Sequence, residues 1–236
     1  MKTIQKIIAP LFLLIELCLY IIILFFPDLI PKPDYIGIAL AYFFAACFIK
    51  PKLPNILLQI GLLATLCADT FLVLLTPLNY TKQTLGVAFF SVTQLCYFAY
   101  IFMTEQKKRI QTAHLFTRLG VTPCVMIVAF LILKDNADLL SLLSVFYVCN
   151  LAINAIFAFL QGKKGVLLAV GLTLFLCCDL FVGFSVAIGS YLQVPETSLL
   201  YKIVFADFNF IWFFYLPSQV VISCVAARNY RKELLS

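Results

Sequence analysis

Apolar residues fill this chain in stretches of about twenty, the length of helix that crosses a hydrocarbon layer of roughly 30 Å. Eight spans are predicted, at 7–26, 35–49, 53–75, 84–103, 113–133, 139–160, 165–189 and 199–227, the second being short. Turn or charge clusters separate them: PDLIPKPD, KPKLP, TPLNYTK, TEQKKRIQ, KDNAD, QGKKG and QVPETS. The first span follows Lys2 and Lys6 as a signal peptide would. Glu16 inside it and the lack of an A-x-A site make it a transmembrane helix instead. The expectation is an all-α fold, a polytopic transmembrane helical bundle that forms a single integral membrane domain over 1–236.

Composition agrees. Hydrophobic residues make up 64% and charged residues 12%, against about 25% charged in a soluble domain. Charge also orients the bundle. The N-terminus, the loops after spans two, four and six, and the C-terminus share one side. That side holds Lys2, Lys6, Lys50, Lys52, Lys107, Lys108, Arg109, Arg118, Lys163, Lys164, Arg228, Arg231 and Lys232; the other holds Lys32, Lys82, Lys134 and Lys202. The split predicts a cell-membrane protein with both termini cytoplasmic. The net charge of +6 is mostly this topology signal, with some attraction to anionic membrane lipids, and nothing suggests nucleic acid. All nine cysteines fall within spans without metal-ligand spacing, and the one histidine, His114, lies at the start of span five. Neither a zinc site nor a Cys–His nucleophile follows.

Carboxylates inside spans are costly and functional by default. There are four: Glu16, Asp69, Asp179 and Asp207. From helical rise, Asp69 lies about 24 Å and Asp179 about 21 Å above the basic side, and Asp207 about 12 Å below the opposite one. Glu16 lies nearer the middle. Three acids at one depth suggest one pocket. Tyr147, Asn150, Asn154 and Gln161 share a face of span six, Gln94 and Tyr97 a face of span four, and Tyr215 and Gln219 a face of span eight. Pro217 should kink the last span and free backbone groups.

The stretches LCADTFLV at 66–73 and LCCDLFVG at 176–183 nearly match, and each is followed by a span bearing FF and then Gln: FFSVTQ at 89–94 and FFYLPSQ at 213–219. This is a weak parallel internal repeat of spans 3–4 and 7–8, which would give Asp69 and Asp179 related positions.

Lys50-Pro51, Ala68-Asp69, LGVAFFSVTQLCYFAYI, Cys178-Asp179 and Tyr215…Gln219, in this order over Lys50 to Arg228, resemble the YhhN family of eight-span membrane proteins, which includes the lysoplasmalogenases. Two positions depart from the family pattern: Ala68 replaces the usual Gly before the first Asp, and Cys178 the usual Ser before the second. The resemblance implies hydrolysis of the vinyl ether bond of lysophospholipids. Asp69 and Asp179 would then be catalytic. Lys50, Gln94, Tyr97, Asn150, Asn154, Asp207, Tyr215 and Gln219 would bind the lysophospholipid substrate.

The chemistry suits two acids. A vinyl ether hydrolyses by protonation of its β-carbon to an oxocarbenium ion, which water captures, and glycosidases divide such a path between two carboxyls. One proton shared by the pair is the expected state, and either acid can hold it. No metal or organic cofactor is called for. A proton- or cation-coupled transporter using the same acids is the alternative, and a lipid-binding or assembly protein without chemistry is a third class. A retinal pigment is not favoured, because no lysine lies in the middle of a span. Neither head-group preference nor oligomeric state is legible.

Overall fold

Helices follow the apolar stretches closely. The computed structural model describes residues 2–48, 52–190 and 194–233, and no strand occurs among them. The order is α1 (Lys2–Phe25), α2 (Pro33–Ala46), α3 (Leu53–Asp69), α4 (Tyr80–Thr104), α5 (Lys108–Leu133), α6 (Leu139–Leu160), α7 (Val166–Ser190), α8 (Leu199–Val204) and α9 (Phe210–Glu233). Among the described residues seven helices are long and apolar enough to cross a membrane, and α2 is a shorter apolar one. The protein is therefore a multi-pass membrane protein built as a helical bundle. With 14 residues, α2 extends only about 21 Å. It packs against α1, α3 and α9 through Gly37, Ile38, Ala41, Phe44 and Ala45, one continuous face.

The eighth predicted span is two helices. Ser198 caps α8 by accepting from the Tyr201 amide at 3.2 Å, and Asn209 caps α9 by accepting from the Trp212 amide at 3.2 Å. Two N-caps in the space of one span force two helix starts. Asp207 consequently lies in the connection between them and is exposed, so the depth expected of it inside a continuous span is not what the fold gives.

Pro217 lies inside α9 as expected. Its missing N–H orphans the Phe213 carbonyl one turn earlier, and that oxygen accepts instead from the Tyr20 hydroxyl of α1 at 3.1 Å. Glu16, one turn before Tyr20, is buried, with neither carboxyl oxygen partnered among the described residues.

The repeat recurs in the packing. Residues 61–71 of α3 and its extension align with 171–181 of α7, and 85–97 of α4 with 210–222 of α9. A Cβ on Gly61 would lie 2.5 Å from the Tyr97 ring; the equivalent Gly171 would place one 2.7 Å from Ile222, the residue equivalent to Tyr97. Phe71 stacks on Phe89 at 5.8 Å, and the equivalent Phe181 on Phe214 at 5.8 Å. Close approach through small residues is the usual basis of helix pairing where lipid removes the hydrophobic drive. Here Thr65 and Thr93 hydroxyls both donate to the Gly61 carbonyl at 3.1 Å.

The C-terminal end of α3 widens into a π-turn over Thr70–Leu74, in which the Leu75 amide donates to the Thr70 carbonyl at 2.9 Å. Lys32 donates to the Val73 carbonyl at 2.9 Å, and Lys82 to those of Leu75 and Pro77 at 3.0 and 2.9 Å. Cations suit the open carbonyls of a helix C-terminus. Two of the four lysines on the sparsely charged side are thereby engaged.

Candidate active site

Asp69 closes the last α-helical turn of α3, directly before the π-turn, a backbone irregularity common at functional sites. The Tyr35 and Thr70 hydroxyls lie 3.0 Å apart and hold this turn against α2, while Thr70 also donates to the Leu66 carbonyl at 2.8 Å. The Asp69 side chain is buried, and its Oδ2 accepts from the Tyr215 hydroxyl of α9 at 2.7 Å. The bond fixes the orientation of the carboxyl.

Asp179, on α7, lies within electrostatic reach of Asp69. Its partners differ. The residue is half-buried, its Oδ2 is enclosed without a hydrogen-bond partner among the described residues, and the Tyr147 phenol of α6 is close enough to act on the carboxyl. The repeat explains the asymmetry. Tyr215, which holds Asp69, is equivalent to Phe90 in the first half, and a phenyl ring has no hydroxyl to offer Asp179.

Two phenyl rings link Tyr147 to Tyr215. Phe90 stacks on Tyr147 at 5.5 Å and meets Phe175 and Tyr215 edge-on at 5.4 and 6.4 Å; Phe175 lies 5.2 Å from Tyr215. Ring faces attract cations at such range. Cys178 is buried beside both carboxyls.

The other predicted residues divide. Tyr97 is fully buried and within electrostatic reach of Asp69. Gln219, one turn from Tyr215, is buried with Oε1 unpartnered, and Asn150 is buried with its Nδ2 donating to the Phe146 carbonyl at 2.7 Å. Gln94 and Asn154 belong to a different layer: the Asn154 amide donates to the Gln94 carbonyl at 2.9 Å and to its Oε1 at 3.0 Å. Gln161 ties α6 to α4 through the Ile101 carbonyl at 2.7 Å. Asp207 is exposed and outside the transmembrane helices, so nothing places it with the pair. Lys50 lies outside the described residues.

Sequence reasoning passed over Phe90 and Phe175, and placed Tyr147 on the polar face of span six without pairing it with an acid. It also counted Arg118 as a loop charge. Arg118 is ten residues inside α5 and buried, four residues after a buried His114. The signal was present as His114, Arg118 and Thr122 at a spacing of four, one helical face.

No curated protein and no solved structure matches this chain. The YhhN family model matches residues 32–226, from just before α2 to late in α9, and so covers the acid pair, both tyrosines and both halves of the repeat. The chain belongs to the YhhN family.

Proposed function

We propose that this protein hydrolyses the vinyl ether bond of lysoplasmalogen-type lysophospholipids, releasing a fatty aldehyde and a glycerophospho-base. The observation that supports the reading is the unequal pair: two carboxyls on membrane-spanning helices within electrostatic reach of each other, one held by a phenol and the other with an unpartnered oxygen.

The inequality assigns roles. Asp179, with Oδ2 unpartnered, gives its proton to the β-carbon of the vinyl ether. The C=C electron pair forms the new C–H bond, and the α-carbon and ether oxygen become an oxocarbenium ion. Asp69 faces that cation as a carboxylate held in place by Tyr215, and the faces of Phe90 and Phe175 add attraction. Water adds to the α-carbon and loses a proton to a carboxylate, giving a hemiacetal. Its collapse breaks the bond to the glyceryl oxygen, which takes up the hemiacetal hydroxyl proton, and yields aldehyde and alcohol; the proton taken from water restores the acid.

Purified protein in detergent should release a long-chain aldehyde from a 1-alkenyl lysophospholipid, and EDTA should not change the rate. The matching saturated ether should stay intact, because protonation cannot turn it into an oxocarbenium ion. A protein that binds lipid and yields no aldehyde, yet passes protons or cations through liposomes in an Asp69-dependent way, would be a transporter instead.

Tyr215→Phe isolates the role of the held carboxylate. Hydrogen bonds to charged groups contribute about 1.5–3 kcal/mol, so kcat should fall by roughly ten- to a hundredfold with little change in KM. An unchanged kcat would remove Tyr215 from the mechanism.

We further infer that the basic end is cytoplasmic. The 4–5 and 6–7 connections meet there, with the Lys164 ammonium donating to Gln106 Oε1 at 2.9 Å. Labels at single cysteines placed in 107–109 or 163–164 should react only from the cytoplasm, and labels at 136 only from outside. Cys18, Cys47 and Cys124 are exposed and must first be replaced. The reverse pattern would invert the orientation.

A further inference from the structure

The inward face of α5 is polar. Its buried residues are His114, Arg118 and Thr122, while Phe116, Leu119, Ile127, Val128, Leu131 and Ile132 point outward. The helix turns its apolar side to lipid and a cation to the bundle. Arg118 is 9% exposed, its guanidinium lies 4.1 Å over the Phe98 ring, and Nη2 donates to Asn154 Oδ1 at 3.2 Å. Nε and Nη1 have no partner, and among the described residues no carboxylate acts on it.

A guanidinium does not shed its proton at ordinary pH. Buried without a counter-charge inside a membrane bundle it is among the least favourable groups a protein can hold. The surrounding layer is poor in compensating acceptors. Its unpartnered atoms include Arg118 Nε and Nη1, Gln94 Nε2 and His114 Nε2, with the Tyr97 hydroxyl and the Asn150 oxygen a turn away on α4 and α6. His114 stacks on Phe157 at 4.2 Å and meets Phe98 edge-on at 4.8 Å, so the imidazole and the guanidinium flank one ring. Asn154 is fixed in turn by Gln94. The layer is a set of oriented donors around a fixed positive charge.

We propose that Arg118, with His114 and Gln94 beside it, binds the phosphate of a single-chain phospholipid, and so holds the head group of the lipid whose vinyl ether meets the acid pair. This rests on the hydrolase reading for the identity of the lipid. Spacing agrees with it. On α4, Gln94 lies four residues from Phe90 at the acid site, an axial separation of about 6 Å. On α6, Asn154 lies seven residues from Tyr147, about 10 Å. In a lysoplasmalogen five single bonds join the phosphorus to the vinyl ether oxygen, a reach of about 6 Å. Phosphate at Arg118 therefore brings the ether to the level of the acids. A cavity of about 290 Å³ lies at the basic end, where α4 and α6 terminate, lined by Glu105, Lys107, Gln161, Lys163 and Lys164 among others. It offers head groups an electropositive approach.

The test uses the whole protein in detergent and two unreactive probes of equal chain length, a saturated 1-O-alkyl lysophosphocholine and the neutral 1-O-alkylglycerol. Wild type should bind the phospholipid at least tenfold more tightly. Arg118→Gln should abolish most of that preference and leave alkylglycerol affinity unchanged. Millimolar inorganic phosphate should not displace the lipid; displacement at that level would assign the site to a free ion and overturn the lipid. A phosphate preference untouched by Arg118→Gln would overturn the site itself. Should that variant not fold, a lysophospholipid with a photoreactive head group decides on wild type: labelling within 114–122 or 150–157 supports the site, and labelling confined to the basic loops overturns it. The two readings fail separately. Arg118-dependent binding without aldehyde release sinks the hydrolase, whereas aldehyde release with an unaltered Arg118→Gln preference sinks only the phosphate site.

Discussion

Asparagine at position 69 or 179 is expected to lower aldehyde release by a factor on the order of 10²–10⁴, the usual contribution of a positioned general acid or base. The amide has the shape of the carboxyl but neither donates a carboxylic proton nor carries the charge that faces an oxocarbenium ion. Both variants should fold. In Asp69→Asn the amide oxygen can still accept the Tyr215 hydroxyl, now bonded at 2.7 Å, and in Asp179→Asn the oxygen affected has no partner to lose. Replacing a buried acid by a neutral amide also removes a group that is costly to charge, so thermal stability should hold or rise. Because the two acids act as one unit, the double variant should be scarcely slower than the worse single one. Equal rates in all four proteins would end the acid-pair account. Asp207→Asn, at an exposed position outside the pair, should be silent.

The second large effect concerns the scaffold. Gly61→Val should unfold the protein at a markedly lower temperature and take activity with it. The added Cβ would lie 2.5 and 2.9 Å from Tyr97 ring atoms and 3.3 Å from the Cys96 Cβ. Tyr97 is fully buried and cannot swing away. Overpacking of this kind costs about 1–3 kcal/mol, and parting α3 from α4 would also strain the two threonine bonds to the Gly61 carbonyl. Asp69 lies eight residues along the same helix, about 12 Å away, so the acid would move with it. Gly120→Val supplies the control: Gly120 is on the lipid-facing side of α5 with nothing within 4 Å of its Cβ position. Melting curves of the two variants should differ clearly. Equal curves would mean that the α3–α4 contact is looser than the structure has it.

Much of the bundle was legible because lipid imposes a length on every span and a cost on every buried charge. Seven of the eight spans emerge as single helices near their expected limits, and the last divides because Ser198 and Asn209 each start a helix, a local capping effect that averaged hydrophobicity hides. The same division removes Asp207 from the site. Asp69 and Asp179 were legible as isolated acids in apolar runs, and the repeat gave them related positions. What holds them was not. Tyr215 reaches Asp69 from the other half of the repeat, across 146 residues of sequence, and Tyr147 comes from a helix outside the repeat altogether. Arg118 was misread for a physical reason. A cation ten residues into a helix resembles a snorkelling boundary charge until the fold shows which way the helix faces.

The most direct measurement is the isotopic content of the aldehyde. Hydrolysis of a 1-alkenyl lysophospholipid in D₂O, with the aldehyde trapped at once, should place one deuterium on the carbon next to the carbonyl, because that is the carbon Asp179 protonates. The label should form at a rate that falls with Asp69→Asn and Asp179→Asn alike. Aldehyde free of deuterium at that carbon, or labelled aldehyde formed as fast by both variants as by the wild type, would contradict protonation by the intramembrane acid pair.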